Sequence, residues 1–266
     1  MGDVQDTING IANILLKKAI SRHPEVEFVA FGGDLIERPT DAYFAETFRS
    51  IDSVCTAMPI VNITGNHDYL KYLKRKCERR FALTFPYFLK GMEERGDENH
   101  LFSFVYHNTQ FFLLDSERGA YFLLQQKSWL KDRFDECNTK HRIVMLHHPL
   151  YSVKNKNNNL IERWVFNDMI QEAGVELVLQ GHEHSYTHCT NDEKPLKGNR
   201  CVNGPLYTVS HCSPKNYDPR PEERFYPVKN DSRYYQIVHV TASLVSMKAY
   251  DAFTGEMIDS VNVICQ

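Results

Sequence analysis

VELVLQGHEHSYTH, residues 175–188, runs an apolar segment straight into a glycine and then two histidines one residue apart. A short apolar run flanked by glycines reads as a buried strand, and Gly174 ahead of it closes a helical stretch, ERWVFNDMIQEAG (162–174). His182 and His184 are close enough to share a cation, yet two ordinary polar side chains on a loop would look the same. The choice depends on whether other strands end on residues of the same kind.

They do. VEFVAF (26–31) leads into Gly32-Gly33-Asp34, PIVNIT (59–64) into Gly65-Asn66-His67-Asp68, and RIVMLH (142–147) into His147-His148-Pro149. QFFLLD (110–115) is a further strand, and apolar spacing predicts helices over 7–22, 41–55 and QQKSWLKDRFDEC (125–137). Strands alternating with helices predict an α/β architecture, in which groups distant in sequence meet beyond the carboxyl ends of the strands. From Gly204 onward helix signals stop. PLYTVSH (205–211), YYQIVHVTA (234–242), SLVSMKAYD (243–251) and EMIDSVNV (256–263) read as half-exposed antiparallel strands, with Phe253-Thr254-Gly255 turning the last pair.

Composition narrows the function. A 266-residue chain that is 42% apolar supports a large core, and a net charge of -3 gives no global attraction to nucleic acid or to anionic membrane. The partner expected is therefore a small molecule. No stretch is long and apolar enough to span a membrane and no signal peptide is apparent, so the chain reads as cytoplasmic as written. Seven cysteines without a C-x-x-C read mostly as free thiols, with Cys189, Cys201 and Cys212 the candidates for one disulfide in an oxidising compartment. KYLKRKCERR (71–80) is a basic run, either a solvated helix face or a phosphate-steering patch.

Hydrolysis of a phosphate ester by paired divalent cations needs a carboxylate bridging them at about 3.5–4 Å, further oxygen and nitrogen ligands, and open positions. Asp34 suits the bridge, Asn66 offers an amide oxygen, and His147, His182 and His184 offer imidazole nitrogens. Donors of this kind without thiolate favour Mn, Fe or Zn.

In order, GGD (32–34), GNHD (65–68), HHP (147–149) and GHEH (181–184) resemble the motifs of the calcineurin-like metallophosphoesterase superfamily. HHPLYS followed by GHEHSY, and the closing hairpin, resemble its purple acid phosphatase-like branch. The resemblance implies a four-layer αββα fold, a two-sheet β-sandwich flanked by helices, holding two divalent metal ions. It implies that Asp34 bridges, that Asn66, His147 and His182 bind one metal, and that Asp3 and His184 bind the other. His67 then protonates the leaving alkoxide or stabilises the phosphoryl oxygens, after attack by a metal-held hydroxide, and His148 is left as a substrate or supporting contact.

Two departures qualify the match. Asp34-Leu35-Ile36-Glu37 lacks the tyrosine of the purple branch, so no tyrosinate colour is expected. With Arg38 it is instead similar to a motif of the serine/threonine phosphatases, which implies that Glu37 orients His67 and that Arg38 clamps phosphate; a surface ion pair is the alternative. Asp3-Val4-Gln5 stands where D-x-H is usual, so Gln5 is expected to coordinate weakly through its amide oxygen or to bond a metal-bound water. With only Met1 and Gly2 ahead of Asp3, that ligand is expected on a frayed end, as if the first core strand, and any export signal before it, were missing.

The function expected is hydrolysis of phosphomonoesters, with diester or pyrophosphate hydrolysis, or a non-catalytic metal-binding scaffold, as alternatives. Substrate choice would fall to the loops 69–87, 152–160 and 187–200. A metallo-β-lactamase-like site is disfavoured, because Tyr186 and Thr187 stand where its aspartate and final histidine belong.

Overall fold

The computed structural model describes residues 1–55, 58–70, 76–87, 100–192, 194–196 and 201–264, without the side chains of 50–55. Parts of the basic run at 71–80 and of the loops 69–87 and 187–200 fall outside the described residues, as do the side chain of Cys55 and all of Cys265.

Strands β1 (Val29–Phe31) and β2 (Ile60–Asn62) pair in parallel, and helices α1 (Ala12–Arg22) and α2 (Asp41–Cys55) alternate with them in the chain. Asn66–Asp68 is a single 3-10 turn, followed by the short pair β3 (Tyr69–Leu70) and β4 (Lys76–Cys77) and by α3 (Arg79–Thr84). Next come β5 (Phe102–Tyr106), β6 (Thr109–Leu113), α4 (Ala120–Asp135), β7 (His141–Met145), α5 (Leu160–Glu172), β8 (Leu177–Gln180) and β9 (Tyr186–Cys189). The chain then continues through β10 (Cys201–Val202), β11 (Leu206–Val209), β12 (Val228–Lys229), β13 (Tyr234–Val240), β14 (Leu244–Asp251) and β15 (Met257–Ile264). A seven-stranded sheet has the order β12-β9-β11-β8-β7-β6-β5, and a four-stranded one the order β10-β15-β14-β13.

Alternation along the central strands builds the layers. Phe112 and Val144 face α4 and α5, meeting Leu123, Leu130, Phe134, Phe166 and Ile170. Phe111, Leu113, Ile143 and Met145 point the other way, against Val245, Met247 and Val261 of the four-stranded sheet. Both faces are covered, which is why these strands read as unbroken apolar runs. Leu16 of α1 and Phe44 of α2 pack on Val29 and Phe31, while Leu15 and Ala19 pack on Tyr235. The result is the αββα stack implied by the motif resemblance.

Several local expectations change. Helix α1 begins at Ala12 rather than Thr7, because Asn9 has a φ of 62° and the Asp6 carboxylate accepts the N–H groups of Ile11 and Ala12 at 3.0 and 3.1 Å. PLYTVSH is not half-exposed: β11 is buried throughout, parallel to β8 and antiparallel to β9. Its polar Thr208 is accommodated because the hydroxyl donates to the Thr187 carbonyl at 3.1 Å. β9, inside the opening stretch, and β5 are strands that patterning misses. Cys189, Cys201 and Cys212 are free thiols, and among the described residues no helix is long and apolar enough to cross a membrane.

Candidate functional site

Five of the seven predicted ligands sit just past the carboxyl end of a strand: Asp34 after β1, Asn66 after β2, His147 after β7, and His182 and His184 after β8. Getting the side chains inward requires tight backbone. Asp3, Asp34, His182 and His184 have φ of 42°, 51°, 72° and 42°, a left-handed region that L-residues seldom occupy unless surroundings enforce it. Gly33 (φ 87°) and Gly181 make room, since a Cβ on Gly181 would lie 2.5 Å from Asp3 Oδ2 and 2.9 Å from the Gly32 carbonyl oxygen. Gly181→Ala is therefore expected to cost about 1–3 kcal/mol of stability through overpacking, read by denaturant unfolding, and to lower metal content measured in parallel.

The amino-terminal segment is not frayed as expected. Met1 N–H donates to the Ala30 carbonyl at 2.8 Å, Gly32 N–H donates to Met1 at 2.8 Å, and Cys212 N–H donates to Gly2 at 2.9 Å. Residues 1–3 are thus tied to β1 on one side and to the segment after β11 on the other. Asp3 and Gln5 are fully buried as a consequence.

Hydrogen bonding shows what these groups are prepared to hold. His147 Nδ1 donates to the Gly32 carbonyl at 2.8 Å and His184 Nδ1 to the Lys215 carbonyl at 3.0 Å, which turns both Nε2 lone pairs toward carboxylates. His147 Nε2 lies 3.5 Å from Asp34 Oδ2, and His184 Nε2 lies 3.5 Å from Asp3 Oδ1. Ligand atoms of Asp3, Asp34 and His147 all fall within 4.8 Å of one another, and Asp3 Oδ1, Gln5 Oε1 and His147 Nε2 are buried without a hydrogen-bond partner. Lone pairs facing carboxylates across a buried gap repel unless a positive charge sits between them. The donor set therefore fits a divalent cation. Burial opposes charging His147, but the Asp34 carboxylate outweighs it and raises that imidazole's pKa well above its ordinary value; a proton goes where a cation would.

Gln5 meets this gap with its amide nitrogen, 3.2 Å from Asp34 Oδ2 and 3.3 Å from His184 Nε2. In that orientation the NH2 group does part of a cation's work, and a flip of the amide is needed to present the oxygen to a metal.

Asn66 and His182 form the outer edge. Asn66 Oδ1 and His182 Nδ1 are 3.0 Å apart, and the His182 ring packs on His148 at 4.3 Å between centroids. Burial, then the charges of His148 and His147, push the His182 pKa down to about 2, so this imidazole stays neutral and able to ligate. His148 itself is held by Ser116 Oγ at 3.1 Å and Glu117 Oε1 at 3.2 Å.

His67 is anchored at both ends. Its backbone N–H donates to Asp34 Oδ1 at 2.8 Å, and its Nδ1 to the backbone carbonyl of Glu37 at 2.6 Å. The expected contact from the Glu37 carboxylate is not made, because that carboxylate pairs with Lys215 at 2.7 Å. Arg38 is exposed and has no ion pair among the described residues. Asp68 accepts the backbone N–H groups of Gly65 at 2.8 Å and Asp34 at 3.2 Å, locking the two motif loops together.

Against known proteins, residues 1–186 match the family model described as calcineurin-like phosphoesterase. The chain belongs to the calcineurin-like phosphoesterases. Its fold is similar to a purple acid phosphatase from yellow lupin seeds, with a TM-score of 0.78 and 14% identity over 99% of this chain and 52% of the other. It is also similar to GAP50, described as the anchor in the inner membrane complex of Plasmodium (TM-score 0.67, 14% identity, 100% and 87% covered). A third likeness is to PhoD (TM-score 0.60, 13% identity, 97% and 70% covered). The chain thus spans about half the length of the lupin enzyme. No curated protein matches by sequence.

Around the candidate ligands stand residues that the motifs do not mark. His184 lies between two rings, His211 at 5.5 Å and Tyr217 at 4.5 Å between centroids, inclined by 17° and 24°. His211 is fully buried, and burial followed by the charges of His184 and Arg233 lowers its pKa to about 3. A signal for His211 exists: it stands just past the end of β11, as the ligand histidines stand past β7 and β8. Tyr217 comes from a proline-rich loop with no motif to mark it.

Proposed function

We propose that the chain hydrolyses phosphate monoesters at a centre of two divalent cations, with Mn, Fe or Zn the candidates. The observation that carries this is the convergence of Asp3 Oδ1 and His147 Nε2, both buried and unpartnered, on the Asp34 carboxylate, which also accepts the His67 backbone N–H. In this reading Asp34 would be shared by the two cations, Asn66, His147 and His182 would hold one, and Asp3, His184 and, after an amide flip, Gln5 would hold the other. When bound, such a pair supplies Lewis acidity and a water of lowered pKa.

The chain's own residues position and protonate. Nδ1 of His67, engaged by the Glu37 carbonyl, leaves Nε2 as the nitrogen that delivers a proton to the departing oxygen or steadies the phosphoryl oxygens. Arg38, exposed and without an ion pair among the described residues, is the residue assigned to clamp the phosphoryl group, and Glu37 contributes its backbone carbonyl in place of its carboxylate. No covalent link between enzyme and phosphorus is required.

Chelation provides the test. Protein stripped with EDTA should lose at least about a hundredfold in turnover of p-nitrophenyl phosphate and regain it with one of Mn, Fe or Zn, and the monoester should be preferred over bis-p-nitrophenyl phosphate by about tenfold or more. A reversed preference would replace the monoester reading with a diesterase. Full cation binding without turnover of either ester would make the chain a scaffold.

A further inference from the structure

Glu183 stands between the two histidines of GHEH, yet its carboxylate serves a different loop. It accepts the Ser152 hydroxyl, the Val153 N–H at 2.6 Å and the Lys154 N–H at 3.3 Å, and it is 1% exposed. The turn at 152–154 is therefore strapped to the metal-ligand loop by a buried acceptor. That turn carries Lys154, whose Nζ lies 4.3 Å over the centroid of the Tyr217 ring, and Tyr217 in turn stacks on His184.

The cations nearby differ in one respect. Lys215 is paired with Glu37 at 2.7 Å, whereas the exposed ammonium of Lys154 makes no ion pair among the described residues. An aromatic face holds a cation in place without cancelling its charge. Beside residues that would hold cations for the scissile phosphoryl group, a further fixed positive charge suits a second anion on the same substrate.

We propose that Lys154 selects substrates carrying a second phosphoryl group next to the one removed, such as pyrophosphate or the terminal phosphate of a nucleoside diphosphate. This rests on reading the centre as a phosphoesterase, so binding and turnover are measured separately. Calorimetry on the zinc-loaded protein would compare methylenediphosphonate, which is not hydrolysed, with methylphosphonate. Wild type should prefer the diphosphonate by about tenfold or more, Lys154→Met should reduce the preference to about threefold or less, and Lys154→Arg should keep it. Raising the salt should erode it, as for any exposed charge. In turnover, Lys154→Met should lower kcat/KM on pyrophosphate by several times more than on p-nitrophenyl phosphate. Equal affinity for the two phosphonates in wild type, or a preference untouched in Lys154→Met, would overturn the assignment. A Lys154-dependent preference without turnover would uphold it and sink the hydrolase reading instead.

Discussion

Asp34→Asn is expected to lower kcat/KM on p-nitrophenyl phosphate by about a thousandfold or more, ~4 kcal/mol of transition-state stabilisation, and to deplete both cation positions. Asparagine is the informative replacement. It tolerates the φ of 51° at this position better than most residues, and its amide oxygen can still accept the His67 N–H that Asp34 Oδ1 accepts at 2.8 Å. What is removed is the charge. Burial opposes ionisation of Asp34, but His147 and His67 more than compensate and hold its carboxyl well below the usual range. The same charge acts on Asp68, whose pKa is raised well above the ordinary value by burial and then by Asp34. A carboxyl held as low as that of Asp34 stabilises the fold in its charged form above the ordinary carboxylate range, so EDTA-treated Asp34→Asn should melt lower than EDTA-treated wild type at neutral pH. Metal analysis and calorimetry on the same preparations check both halves. A variant that keeps two cations and loses less than about tenfold in activity would remove Asp34 from the bridging position.

The loops that carry the candidate ligands were legible because polar residues of one kind stand at strand ends. An apolar run that stops at Gly-Asp, Gly-Asn-His or His-His-Pro signals both a buried strand and a polar group at its crevice end, and β1, β2, β7 and β8 all follow that rule. β11 obeys it too, with His211 just beyond, but alternation of Thr208 and Ser210 with apolar neighbours mimics a half-exposed strand. Polar side chains satisfied inside the sheet produce the same pattern as polar side chains facing water, and composition alone does not separate them. Glu37 shows a different limit. The motif placed the right residue beside His67, but the contact comes from its backbone carbonyl, which every amino acid possesses and no motif records. Tyr217 and Lys154 were invisible for a third reason: Tyr217 stacks on His184 and Lys154 lies over the Tyr217 ring, contacts that leave no spacing rule in the chain.

For His67→Ala the expectation is a fall in kcat of about a hundredfold to ten-thousandfold, with cation content unchanged. The separation is possible because the contact to Asp34 is made by the His67 backbone N–H, which alanine keeps. Only the imidazole and its bond to the Glu37 carbonyl are lost, and His67 is half-buried at the edge of the cluster, so the fold has little to lose with it. Comparing leaving groups then distinguishes its two possible tasks. If the imidazole gives its proton to the departing oxygen, an alkyl phosphate should suffer far more than p-nitrophenyl phosphate, whose phenolate departs readily without a proton. If it steadies the phosphoryl oxygens, both substrates should slow by the same factor, since that charge is present whatever leaves. Cation loss in parallel with activity would show that His67 supports the centre's assembly, and undiminished turnover on both esters would remove it from the chemistry.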